Sequence, residues 1–148
     1  MTKYIIYTDG GSRGNPGVAG AGVLVTNEAG KVLREATRPL GLMTNNEAEY
    51  EAVILGLETA KKVIGKKNLG GAQVEVRLDS ELVARQLAGK YQIKEKPLQF
   101  LFMKIWNMRV DVFSHITFTH IPREKNSHAD RLANRAMDQA SSRPGKLF

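Results

Sequence analysis

The chain contains no cysteine. That absence excludes disulfide frameworks, thiolate-ligated zinc and every cysteine nucleophile, and it fits a reducing compartment. No apolar run approaches the roughly 20 residues that span a bilayer. The N-terminus enters a strand pattern without a signal-peptide layout, so a cytoplasmic protein with no membrane contact is the expectation. Acidic residues are scarce too, 15 against 22 lysines and arginines, giving a net charge of +7 over 148 residues and a pI of about 9.8. Charge alone leaves a solvated lysine-rich surface open, but the excess favours polyanionic partners, nucleic acid first. A hydrophobic content of 42% suits one globular domain with a real core.

Because the acids are few, their placement matters. Asp9 follows the apolar run Tyr4-Ile5-Ile6-Tyr7, and Asp79 follows Val74-Glu75-Val76-Arg77-Leu78. Glu49 and Asp130 fall in the first turns of two helical patterns. Four carboxylates gathered from distant stretches repel one another, and a fold keeps them together only if a cation binds there. Hard divalent ions with oxygen ligands fit. Mg²⁺ takes a few carboxylates plus substrate phosphate oxygens and keeps several waters. Two such ions roughly 3.5–4 Å apart activate the attacking water and stabilise the departing oxygen in phosphodiester cleavage. Asp130 has a structural alternative, because Ser127-x-x-Asp130 is itself a capping pattern and an acid there suits the helix dipole.

The pattern along the chain is β-β-β-α-β-α-α-β-α. Strands are expected at 3–9, 18–27 and 31–39, with Gly10–Gly17 as a glycine-rich turn. Gly20 and Gly22 mark a bulge or a close backbone approach. Thr44-Asn45-Asn46-Glu47 matches a capping box, which occupies Glu47. Stepping back from the stripe Ala52, Val53, Gly56, Leu57, Ala60 puts Glu49 on the sheet-facing side. A strand at 73–79 leads into a short helix from Ser80 to about Gly89. The helix from Pro97 to about Phe113 is apolar on so many faces that deep burial is the leading expectation, with an exposed patch as the alternative. A last strand over 115–121 leads to a helix capped by Ser127 and running to about Ala140. Residues 1–140 form the expected domain, and 141–148 a flexible basic tail. Three antiparallel strands followed by two parallel ones make an α/β (α+β) fold with a five-stranded mixed sheet flanked by helices. Ligands gather at the strand carboxyl ends of such sheets.

His120 ends the last strand, where a histidine can shuttle protons near neutral pH. His115 opens that strand at its far end, and His128 has no evident partner in the sequence. The turn Gly10-Gly11-Ser12-Arg13-Gly14-Asn15-Pro16-Gly17 lacks the ending of a P-loop. It suits close approach to a nucleic-acid strand, with Arg13 and Asn15 in reach.

Taken together, Tyr7 to Gly17, Thr44-Asn45-Asn46-Glu47-Ala48-Glu49-Tyr50, Leu78-Asp79-Ser80 and His120 to Asn134 resemble, in order, the four motifs of type 1 ribonuclease H over residues 3 to 140. The resemblance implies the ribonuclease H-like fold and metal-dependent hydrolysis of the RNA strand of RNA–DNA hybrids, leaving 5′-phosphate ends. It implies that Asp9, Glu49, Asp79 and Asp130 hold two Mg²⁺ ions, with Mn²⁺ as a substitute, and that His120 assists product release. Gly10, Gly11, Ser12, Arg13, Asn15, Thr44, Asn45, Asn46 and Ser80 would contact the hybrid, whose 2′-hydroxyls line a wide minor groove. A monomer is expected, and double-stranded RNA is a second ligand to consider. The chain departs from the family twice. Glu81 stands where many members carry an amide, and Gly89–Lys96 offers only Lys90, Lys94 and Lys96 in place of the basic, tryptophan-rich protrusion of some members. The loop Arg123-Glu124-Lys125-Asn126 resembles the shorter archaeal and bacterial forms. A hybrid or double-stranded RNA binder that does not cleave, and a DNA-cutting nuclease of the wider superfamily, are the competing readings.

Overall fold

The first strand does not stop at Asp9. In a computed structural model of the chain, which describes residues 1–142 and the side chains of 1–141, β1 runs from Thr2 to Gly14. The segment expected to turn from Gly10 to Gly17 is therefore a continuation of the ladder: Gly10 pairs with Ala21, Ser12 with Ala19 and Gly14 with Gly17. Only Asn15-Pro16 reverses the chain. Gly10 is there because a helix lies on the strand. A Cβ on Gly10 would sit 2.0 Å from the Ala48 carbonyl oxygen.

β2 (Gly17–Asn27) and β3 (Val32–Met43) complete the antiparallel meander, and β3 is longer than its sequence pattern indicates. A register shift falls between Ala19 and Gly20, and a Cβ on Gly22 would meet the Ala133 nitrogen at 2.3 Å. The bulge and the close approach expected of this glycine pair are both present.

α1 (Asn45–Ile64) begins with the full capping box, Thr44 accepting from the Glu47 amide and Glu47 accepting from the Thr44 amide. A 3₁₀ turn (Lys66–Gly71) leads to β4 (Ala72–Leu78), then α2 (Glu81–Leu87) capped by Ser80, and α3 (Lys96–Asp111). β5 (Ile116–His120), a 3₁₀ turn (Arg123–Lys125) and α4 (Ser127–Ser142) finish the described chain. Ser127 is the first residue of α4, not the residue before it, and the helix runs two residues past Ala140. The rest of the expected basic tail lies outside the described residues.

The sheet order is β3-β2-β1-β4-β5. β1 pairs with β4, and β4 with β5, in parallel, as the crossover pattern predicts. α1 covers one face and packs Tyr50, Val53 and Leu57 over Ile6, Val25, Val74 and Val76. α4 covers the other face.

α3 corrects the expectation of deep burial. Only Leu98 and Ile105 are buried, whereas Phe100 is 77% and Val110 64% exposed, with Met103 and Trp106 about half exposed. The helix leans on α1 rather than lying between two layers, so one stripe satisfies its contacts. No helix among the described residues is long and apolar enough to cross a membrane.

Candidate active site

Parallel pairing between β1 and β4 ends at Thr8 and Leu78. β1 continues and β4 stops, so Asp9 and Asp79 stand side by side where the sheet opens. Asp9 lies inside β1, not at its end, and its register partner is Gly22. Paired residues share a sheet face, and Gly22 abuts α4. Asp9 thus faces the helix that carries Asp130, whose negative charge acts on it. Glu49 enters from the first turns of α1, buried at 7% exposure, and its Oε1 accepts from the Gly10 amide at 2.6 Å.

The result is a compact acidic trio. One oxygen from each of Asp9, Glu49 and Asp79 lies within 4.8 Å of the others. Asp130 is exposed and lines the same pocket, of about 430 Å³, with Ser80, Arg123 and Asn134. Burial, then the negative charges of Glu49, Asp79 and Asp130, push the Asp9 carboxyl far above the usual carboxylate range. Glu49 is also raised, chiefly by burial, although the Gly10 amide pulls it partly back. Its second oxygen, Oε2, is buried without a hydrogen-bond partner among the described residues. Buried polar atoms are almost always satisfied. An orphan carboxylate oxygen aimed into an acidic cluster fits a hard divalent cation, and the all-oxygen donor set excludes a soft one.

The hairpin side of the pocket is ordered by amide exchange. Asn45 Oδ1 accepts from the Ser12 amide at 2.9 Å, and Asn15 Oδ1 accepts from the Asn45 amide at 3.0 Å. The hairpin tip is thereby strapped to the start of α1, and among the described residues both asparagines keep their Nδ2 donors unspent. Asn45 and Asn46 line the acidic pocket and a neighbouring cleft of about 490 Å³ that holds Asn15, Thr44 and Pro97. Gly10, Gly11 and Ser12 line the acidic pocket. Arg13 lines it as well, but its guanidinium is drawn to Asp138 on α4 at 2.6 Å.

Of the expected site residues, His120 lies outside the lining of both clefts, as does Glu81, which stands where many family members carry an amide. His120 is exposed at the end of β5, opposite Leu78 in the ladder. Glu81 is exposed and pairs with Arg85 at 2.9 Å. His128 has the partner that sequence did not supply: Glu35 of β3, to which its Nε2 is hydrogen-bonded.

Asn126 was not legible as a site residue. It is 1% exposed, and its Nδ2 donates to the Thr8 carbonyl at 2.9 Å and to Asp79 Oδ2 at 3.3 Å. One side chain therefore fastens the end of the β1–β4 ladder and aims Asp79. An asparagine in a short polar loop carries no local mark of burial. Its position four residues before Asp130 is the only hint.

Comparison with known proteins places this geometry. A chain named ribonuclease H from Ruthia magnifica is 32% identical over 159 aligned positions, covering 96% of this chain and all of that one. The chain belongs to the ribonuclease H family. A profile described as "Reverse transcriptase-like" matches residues 7–136. The crystal structure of LC11-RNase H1 in complex with RNA/DNA hybrid superposes with a TM-score of 0.90 at 50% identity, covering 94% of this chain and 99% of that one. The "Bifunctional protein Rv2228c" of Mycobacterium tuberculosis is 41% identical over 140 residues, 94% of this chain. Here the ribonuclease H chain spans 36% of the relative's length. The five-stranded mixed sheet is the one these ribonuclease H structures share.

Proposed function

We propose that this chain is an endoribonuclease that hydrolyses the RNA strand of RNA–DNA hybrids, with Mg²⁺ held by Asp9, Glu49, Asp79 and Asp130. The observation that carries the proposal is the acidic trio within 4.8 Å, one member of which has a buried, unpartnered oxygen. Such a cluster is costly without a cation and ready-made with one. When bound, the ions supply Lewis-acid stabilisation of the phosphoryl oxygens and an activated water. The remaining work falls to the chain. Gly10 and Asn126 hold Glu49 and Asp79 in place. Asp130, exposed at the mouth with Asn134 Nδ2 donating to its Oδ1 at 3.4 Å, stands where the reacting phosphate would arrive. Asn15 and Asn45 offer amide donors to sugar and base edges without demanding a sequence, and His120, at the end of β5, assists product release.

The hybrid as substrate is supported by the crystallised LC11 complex at 50% identity. Double-stranded RNA is a secondary candidate because its minor groove also presents 2′-hydroxyls. We read the protein as a monomer. The cysteine-free composition supports a cytoplasmic setting.

The test is cleavage of an end-labelled hybrid beside duplex DNA and duplex RNA, with Mg²⁺, with Mn²⁺ and with EDTA. Cleavage of the RNA strand of the hybrid, lost in EDTA and in Asp9→Asn while hybrid binding persists, is expected. Hybrid binding with no cleavage by the wild type, or cleavage confined to duplex DNA, would defeat the proposal. So would wild-type turnover in Asp9→Asn.

A further inference from the structure

The positive charge of this protein is not where its proposed chemistry is. The acidic pocket has only Arg13 and Arg123 against Asp9, Glu49, Asp79 and Asp130, a formal net of −2. The excess gathers in a groove of about 910 Å³ walled by β3, the C-terminal half of α1 with the turn after it, and α3. Arg34, Arg38, Lys61, Lys62, Lys66 and Lys104 line it against one acid, Glu58, a net of +5. Glu58 pairs with Arg38 at 3.0 Å. The other five cations are exposed and have no ion-pair partner among the described residues. Helix-dipole pairing accounts for Lys61 and Lys62 in the last turn of α1. It does not account for Arg34, Lys66 and Lys104, which converge from three other segments.

We propose that this groove is a second nucleic-acid site, which grips the phosphodiester strand of a substrate beyond the catalytic pocket. The inference rests on the function proposed above. Arg34 and Arg38 lie on the α1-facing side of β3, four residues and so about 13 Å apart. Phosphates follow one another at about 3.4 Å along each strand axis, so the row spans about four of them. A lone phosphate would use one or two of these cations, whereas a polymer uses the row. The groove is also joined to the catalytic pocket. Arg38 is in register through Ala21 with Gly10, which holds Glu49. Two strand spacings, roughly 10 Å, separate those backbones. The shortage of cations in the pocket itself then has a counterpart: chemistry occurs at the acids, and grip comes from the groove.

The test compares wild type with Arg34→Glu/Lys66→Glu/Lys104→Glu and with the milder Arg34→Gln/Lys66→Gln/Lys104→Gln, after thermal melts show both folded. Fluorescence anisotropy with labelled single-stranded DNA in EDTA reads the groove alone, since the cation-free acidic pocket repels phosphate. The Glu variant should bind about tenfold or more weakly, and its log–log salt slope should fall by about 2, at roughly 0.7 per phosphate contact on a single strand. The Gln variant should fall between the two. In Mg²⁺, kcat should hold for a hybrid of about one helical turn, ~10 base pairs, and KM should rise only for long or tailed hybrids. Equal DNA affinity in all three proteins, or an equal KM change at every substrate length, overturns the proposal. Tighter capture of a polyglutamate peptide than of DNA would reassign the groove to an acidic protein. Absence of hybrid cleavage by the wild type would count against the proposed function only, because the EDTA binding comparison does not depend on turnover.

Discussion

The Gly10 amide donates to Glu49 Oε1 at 2.6 Å, and the glycine that makes this contact has no room for a side chain. A Cβ there would lie 2.0 Å from the Ala48 carbonyl oxygen and 2.7 Å from the Glu49 nitrogen, all backbone. Strand and helix meet at van der Waals limits, and that closeness carries a carboxylate into the sheet. Gly10→Ala must therefore push α1 away. We expect a loss of about 1–3 kcal/mol, as for overpacked cores, together with loss of cation affinity. Gly11→Ala is the control, since its Cβ would meet only the Met137 methyl at 3.6 Å. Melting temperature and Mg²⁺ titration of both variants check this, and equal behaviour would count against the close-approach account.

Asn126 makes a second, independent prediction. Its removal leaves the Thr8 carbonyl without that donor and Asp79 without a guide. Asn126→Ala should cost about 1.5–3 kcal/mol, the range for a hydrogen bond to a charged group, and should weaken cation binding. A variant as stable and as active as wild type, by denaturant melts and hybrid turnover, would show that Asp79 orients itself.

The capping box, the parallel crossovers and the three acids of the trio were legible because each has a local signature: spacing, periodicity or an unexplained carboxylate. What was not legible depends on what lies above the strand. Gly10 to Gly14 read as a turn, yet they continue β1, because a missing side chain marks helix contact, as at Gly10, as well as chain reversal. The burial of Asn126 and the Glu35–His128 contact join residues 118 and 93 positions away from their partners. α3 looked fit for burial because composition does not say how many layers a helix touches.

The histidines should separate cleanly. His128 Nε2 is paired with Glu35 on the surface, both side chains more than a third exposed. Screening by solvent limits such a pair to under about 1 kcal/mol, so His128→Ala should leave kcat unchanged. His120→Ala should lower kcat, on the order of 10²-fold if the ring takes part in proton transfer. A kcat equal to wild type in His120→Ala would remove this histidine from the mechanism.

Asp9 couples stability to pH. Its carboxyl is raised from 3.8 to about 9, by burial first and then by Glu49, Asp79 and Asp130. Between those values the folded state holds a proton that the unfolded state has released. Stability is therefore fully present below about 4 and is lost as pH rises toward about 9. A cation in the cluster takes over the role of that proton, so binding releases it. The melting temperature of EDTA-treated protein should fall steadily from about pH 5 to about pH 9, and Mg²⁺ should raise it most at the upper end. Asp9→Asn removes both the charge and the proton, and should flatten that slope while making the cation-free protein more stable than wild type at about pH 8. Calorimetric Mg²⁺ titrations in two buffers of different ionisation enthalpy would register the released proton directly. A melting temperature indifferent to pH, with no proton released, would mean that Asp9 stays ionised without a cation and that the acids do not need one to coexist.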